Sequence, residues 1–197
     1  MSDASPAGQQ PSDAELMMQL RSGDRDAFAQ LVNRHKDAVV GYLARLTSSR
    51  ERAEDLAQET FLRLYRSASS YVERGFLRAF LFRIATNLLR SEERRERRMR
   101  LLAPFLVLDR EEAPAAPTGL LRAEVQREVS SAIAELPLSY RVPLVLHELE
   151  GWSYADIASE LSCREGTVKS RIFRGRERLK RSLEPYWHGG LRWKTSE

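Results

Sequence analysis

The sequence predicts an all-α chain of two small helical domains joined by a flexible linker, with a helix-turn-helix in the second. Three observations predict this. Apolar residues recur at threes and fours from Ala14 to Leu183, and the alternation of a half-buried strand is hard to find. A stretch broken by Pro104, Pro114, Pro117 and Gly119 splits that pattern into two blocks. The second block closes on WSYADIASELSCREGTVKSRIFRGRERLKRSL (152–183), which reads as a short helix, a tight turn and a longer basic helix.

The elements follow in order. Residues 1–12 are small, polar and proline-containing, a disordered N-terminus with no charged-then-apolar signal pattern. A first domain spans 13–100. Its first helix begins near Ser12 or Asp13. Asp24 can cap the next, which carries Phe28, Leu31, Val32, His35, Val39 and Leu43. A third helix runs from about Arg50 to Ser67, with Ala53, Leu56, Ala57, Thr60, Phe61, Leu64 and Tyr65 on or near its buried side. A turn around Ser69 to Gly75 precedes a helix from about Phe76 into the nineties, which dissolves into the charged run Glu92 to Arg100. The linker covers 101–121. The second domain covers 122–184, where Val125, Val129, Ile133 and Leu136 make a stripe ending at Pro137, and 185–197 form a tail with Tyr186, Trp187 and Trp193.

Composition narrows the function classes. With 197 residues, 42% of them hydrophobic, the chain can build folded cores, and a net charge of +4 says little about partners. Distribution says more: Arg164 to Arg181 holds eight basic residues against two acidic, enough to neutralise phosphates. The lone Cys163 can form no internal disulfide, no Cys/His cluster has zinc spacing, and no apolar run reaches bilayer length. A cytoplasmic protein without metal, cofactor or membrane insertion is expected. No nucleophile–base pair or glycine-rich phosphate loop points to an enzyme.

In the helix-turn-helix, Ser153 can cap a helix that turns Ile157, Ala158 and Leu161 inward, while Val168 and Ile172 pack from the second helix. That burial distributes Thr167, Lys169, Ser170, Arg171, Phe173 and Arg174 around the outward side and its flanks. An arginine fork matches the acceptors on guanine's groove edge; lysine and hydroxyls hold phosphate; Phe173 can touch a thymine methyl. A helix-turn-helix alone leaves many roles open, including a stand-alone regulator whose first domain dimerises or senses a signal.

GTVKSRIFRGRERL (166–179), following LPLSYRVPLVLHELEGWSYADIA (136–158), resembles region 4 of the extracytoplasmic-function (ECF) sigma factors of the sigma-70 family. Independently, AEDLAQETFLRLYR (53–66) and FLRAFLFRIATNLL (76–89) resemble region 2. The resemblance implies an RNA polymerase subunit that selects and opens promoters without being an enzyme. Its implied partners are core RNA polymerase, through the clamp helices of the largest subunit and the flap of the second largest, and promoter DNA, duplex and single-stranded. An anti-sigma factor is a further possible partner.

For the polymerase, three-and-four spacing gathers Asp55, Gln58, Glu59, Leu62 and Arg66 on one exposed stripe. For single-stranded DNA at the -10 element, the resemblance offers Tyr71, Arg74, Arg78, Arg83, Asn87 and Arg90; for the -35 duplex it offers His147, Tyr154, Arg164, Thr167, Lys169, Ser170, Arg171, Phe173, Arg174 and Arg178. Some residues keep two readings. Tyr71 can stack on a base or anchor its loop in the core, and Asn87 can read a base edge or meet only water. Phe80 and Phe82 read as packing residues. Ser162 stands where many relatives place a turn glycine, and His147 where some carry arginine. The patch LLAPFLVL (101–108) can lie in a groove of the polymerase, on the second domain, or fold back on itself.

Overall fold

The computed structural model describes residues 10–47, 49–71, 77–102 and 122–184, and every regular element among them is helical. Residues 1–9, the tail, and all of the expected linker beyond residue 102, with most of its apolar patch, lie outside the described residues.

Four helices build the first domain: α1 (Asp13–Arg21), α2 (Arg25–Thr47), α3 (Arg50–Ser67) and α4 (Leu77–Leu102), with a 3-10 turn at Ala68–Ser70. Local chemistry sets their starts. Ser12 and Glu15 form a reciprocal cap on α1: the Glu15 amide donates to Ser12 Oγ at 3.3 Å and the Ser12 amide to Glu15 at 2.7 Å. Asp24 accepts from the amides of Asp26 and Ala27, at 2.8 and 3.3 Å, and Ser49 caps α3 through the Arg52 amide at 3.2 Å. Apolar stripes then meet in a core where Tyr42 stacks on Phe82 at 4.2 Å and its hydroxyl pairs with that of Thr86 at 2.7 Å. Burial pushes the Tyr42 phenol well above its usual range, so the group stays neutral.

The charged run does not end the last helix as expected. α4 continues to Leu102 because Arg52 of α3 reaches across to Glu92 at 3.0 Å and Glu96 at 2.7 Å, tying the polar half of α4 to its neighbour. His35, for which the sequence offered no partner, binds the Asp13 carboxylate at 2.8 Å beside Arg34, at 2.7 Å, and so fastens α1 to α2.

The second domain comprises α5 (Arg122–Glu135), α6 (Leu138–Glu148), α7 (Tyr154–Glu160) and α8 (Glu165–Leu183). α6 is apolar through its middle and buried from Arg141 to Leu146, lying between α8 and the α2 side of the first domain. The two domains therefore share one continuous core. Arg141 of α6 is a charged group buried within it. Its guanidinium donates to the carbonyls of Leu136 and, across the domain boundary, Leu46, and faces Glu93 at 3.4 Å. Burial lowers its pKa, but the two carbonyls satisfy the charge that burial would otherwise strand.

Candidate nucleic-acid interface

The turn between α7 and α8 fixes everything that α8 presents. Ser153 caps α7 by accepting from the Asp156 amide at 3.1 Å. The chain then reverses through Ser162, whose φ of 49° is the left-handed conformation that glycine would adopt more readily, while the Cys163 amide returns to the Ala158 carbonyl at 3.0 Å. Ile157 and Ala158 meet Val168 and Ile172 in the core, and Gly175 sits within ordinary contact of Leu144 and the Tyr140 carbonyl of α6.

With that inner face locked, Arg164, Lys169, Ser170, Phe173, Arg174 and Arg178 are exposed and Thr167 and Arg171 half-buried. Thr167, Arg171, Arg174 and Arg178 follow at spacings of three and four along one flank. They are not equally available. Arg174 has no ion pair among the described residues, whereas Arg171 turns back towards the Cys163 sulfur at 4.0 Å and Arg178 lies over the Tyr140 ring at 5.2 Å. On the opposite flank, His147 donates through Nδ1 to the Trp152 carbonyl at 2.9 Å and stacks on Tyr154 at 4.4 Å. Lys169 lies over that tyrosine at 5.5 Å while paired with Glu165 at 3.0 Å. Three expected residues thus form one chain of contacts joining α6, α7 and α8.

The stripe on α3 is open as well. Asp55, Gln58, Leu62 and Arg66 are exposed; Glu59 is half-buried and holds Arg63 at 3.1 Å and Arg66 at 3.7 Å. Tyr65 departs from its expected inward placement: it stands exposed beside Leu62, edge-on to Phe28 at 5.1 Å, because the α2–α3 core closes one turn earlier, on Phe61 and Leu64.

The face of α4 is different. Arg78, Arg83 and Asn87 point outward and Arg90 is half-buried, but the second domain meets Arg78 and Arg83. Arg78 donates to Glu150 at 2.6 Å, with Arg45 of α2 on the same carboxylate, and Arg83 donates to Glu160 at 3.1 Å. Trp152 stacks on Phe82 at 6.0 Å. Burial pushes the Glu160 carboxyl up, against the pull of Arg83 and Arg90. Tyr71, only 8% exposed, packs on Phe80 at 4.9 Å, so its ring offers no open face to a base in this conformation. Arg74 lies outside the described residues. Nothing in the sequence announced the contacts of Arg45, Arg141, Glu150, Trp152 and Glu160: isolated residues far apart in the chain carry no periodic signal for one another.

The sigma-70 region 2 family matches residues 31–99, taking in α3 and most of α4, and the sigma-70 region 4 family matches residues 126–179, taking in the helix-turn-helix. The ECF RNA polymerase sigma-E factor of Haemophilus influenzae is 33% identical over 186 residues, covering 90% of this chain and 98% of that relative. The chain belongs to the ECF sigma factors of the sigma-70 family. The RNA polymerase sigma-H factor of Pseudomonas aeruginosa is 31% identical over 89% of this chain and 96% of its own. Among solved structures, the sigma factor RpoE from Bartonella quintana, in complex with the anti-sigma factor NepR, matches with a TM-score of 0.65 at 28% identity, over 80% of this chain and 96% of that one.

An ECF sigma factor is a non-enzymatic initiation factor: this one serves promoter recognition and transcription initiation. The reading of a stand-alone regulator gives way to that membership. Sigma factors bind core RNA polymerase and promoter DNA, and the regions matched are those that hold the α3, α4 and α8 faces of this one. No described helix is long and apolar enough to cross a membrane.

Proposed function

We propose that this sigma factor divides promoter recognition among three helix faces. α8 enters the major groove of the -35 duplex, where Arg174 and Arg171 read base edges, Phe173 meets thymine methyls, and Arg164, Thr167, Lys169, Ser170 and Arg178 hold the phosphate backbone alongside His147 and Tyr154. One observation carries this reading: the inner face of α8 is locked into the core while its outward face presents basic, hydroxyl and aromatic side chains together. Arg164 makes no side-chain cap, which leaves the first amides of α8 to a phosphate.

The α3 stripe docks on the clamp helices of the polymerase's largest subunit, and the second domain on the flap of the second largest. Tyr65, exposed beside Leu62, extends the α3 stripe with apolar surface. The α4 face, with Arg74 of the preceding loop, binds the separated strand of the -10 element through Arg78, Arg83, Arg90 and Asn87. Tyr71 supports that loop from within. The protein works in the cytoplasm, and the RpoE–NepR complex supports an anti-sigma factor as its regulator.

The test begins with transcript starts mapped after overexpression, which define the promoter. Arg174→Ala is expected to weaken binding to the -35 duplex by about tenfold or more, in line with the ~1–3 kcal/mol carried by a bidentate base contact. Arg171→Ala is expected to act less, because that side chain is half-buried, and both are expected to leave core polymerase binding intact. Undiminished transcription from the mapped promoter would remove these arginines from the site.

A further inference from the structure

His147, in the last turn of α6, has its two ring nitrogens in different circumstances. Nδ1 lies 2.9 Å from the Trp152 carbonyl, which can only accept, so Nδ1 carries a proton whether the ring is neutral or charged. Nε2 bonds nothing among the described residues, and no buried side-chain nitrogen there lacks a partner, so Nε2 opens to solvent. The ring is held in place. It stacks on Tyr154 of α7 at 4.4 Å, and the same tyrosine carries the Lys169 ammonium of α8 at 5.5 Å. The other charges around it are already matched: Glu165 holds Lys169, Arg176 of α8 holds Glu148, Arg45 and Arg78 hold Glu150, and Asp156 of α7 accepts from the Ser153 hydroxyl. No carboxylate pairs with the imidazole among the described residues, which leaves Nε2 for an anion from outside.

We propose that His147 Nε2 is a phosphate contact for the -35 duplex that works only when the ring is charged, so that binding at this element tightens as the pH falls. The inference rests on the reading that α8 takes the duplex with this flank against its backbone. Because Nδ1 keeps its proton in both forms, the neutral ring presents a lone pair at Nε2 and repels a phosphate oxygen. The charged ring presents an N–H at the same place and donates to that oxygen with charge assistance. Nothing else moves, since the bond to Trp152 and the stack on Tyr154 are common to both forms. Phosphate and proton therefore favour one another, and affinity is expected to rise as pH falls through the range in which imidazoles charge, about pH 8 to about pH 5. Lys169 opposes a charge on the free ring, and a phosphate that meets both cations removes that opposition. An arginine at this place would bind at every pH; the histidine makes the contact conditional.

The test uses the full chain and a fluorescent duplex carrying the mapped -35 element, with affinity read by anisotropy at about pH 8 and about pH 5.5. The unaltered protein is expected to bind about tenfold more tightly at the lower pH, in keeping with one added charged hydrogen bond. Its affinity is also expected to fall more steeply with salt there, by about 0.9 in the logarithmic slope, because one more phosphate is neutralised. A purely structural histidine would leave that slope alone. His147→Gln, whose amide can still donate to the Trp152 carbonyl, is expected to bind weakly at both pH values with one unchanging slope. His147→Arg is expected to bind tightly at both. The proposal is overturned if the unaltered protein is indifferent to pH, if either variant keeps the pH dependence, or if the arginine variant binds no better than the glutamine variant. Arg174→Ala separates this contact from the reading beneath it. If that variant binds the duplex undiminished, the groove assignment falls and takes the histidine contact with it. If it binds weakly while the unaltered protein shows no response to pH, only the histidine contact falls.

Discussion

α4 and α8 both carry rows of arginine, yet they meet their surroundings in opposite ways. On α8 the basic residues meet solvent or their own domain: Arg164 and Arg174 have no ion pair among the described residues, Lys169 is paired within its own helix, and Arg176 is paired with Glu148 of α6. On α4 each outward arginine from Arg78 to Arg90 lies near a carboxylate that the other domain delivers. The difference teaches that a positive stripe in a sequence fixes what a surface can bind, whereas tertiary packing fixes when it can bind. The open helix suits the element that must be found first as duplex. The covered helix suits the element that exists only after strands separate.

The α3 face offers the strongest way to break the contrast, because it is open like α8 but acidic. Reversing Asp55→Lys together with Glu59→Lys puts two positive charges where complementary contact needs negative ones, and also releases Arg63 and Arg66 from Glu59. Like-charge apposition costs several kcal/mol at an interface, so association with core polymerase is expected to fall at least about a hundredfold by fluorescence anisotropy. Duplex binding by the same protein is expected to persist. If association is unchanged, α3 is not the docking helix, and openness alone would then be no guide to partner surfaces.

Arg141 sharpens the comparison from the covered side. Arg141→Ala removes donors from the Leu136 and Leu46 carbonyls and leaves Glu93 facing a void. Loss of a buried hydrogen-bonded charge predicts a stability decrease of about 2–3 kcal/mol, read as a lower urea midpoint. A decrease below about 1 kcal/mol would mean that the domains are already apart in solution, for a guanidinium bonded to water is replaced at little cost.

Much of this was legible in the sequence, and the exceptions have physical causes. Asp24 and Ser153 marked α2 and α7 as caps, and apolar periods marked α1, α3 and α8, because such signals are local; the caps at Ser12 and Ser49, which bond amides three residues on, came only with the structure. α6 was legible only through family resemblance. Val142, Pro143, Leu144, Val145 and Leu146 are buried in one unbroken run and the exposed polar residues stand only at the ends, so little helical period shows, and Pro143 argues locally against a helix. The outward face of α8 followed from burying Val168 and Ile172. The cover on α4 could not be foreseen, since Glu150 and Glu160 look like ordinary surface acids until the fold brings them to Arg78 and Arg83.

Ser162 supplies the smallest effect, and it bears on how α8 comes to be open at all. The turn needs a left-handed residue so that α8 leaves α7 at the angle that packs Val168 and Ile172 beneath it. A side chain in that conformation costs about 1–2 kcal/mol, and Ser162→Gly removes the cost. Glycine in turn widens the unfolded ensemble, which takes back roughly 0.4–1 kcal/mol. The two terms leave a net gain of about 0.5–1 kcal/mol, visible as a small rise in the urea midpoint. Duplex affinity is expected to stay the same, because serine already holds the turn that glycine would hold. A variant that gained stability but lost -35 binding would show that the strained turn, rather than the packing of α8, sets the pose in which Arg174 meets the groove.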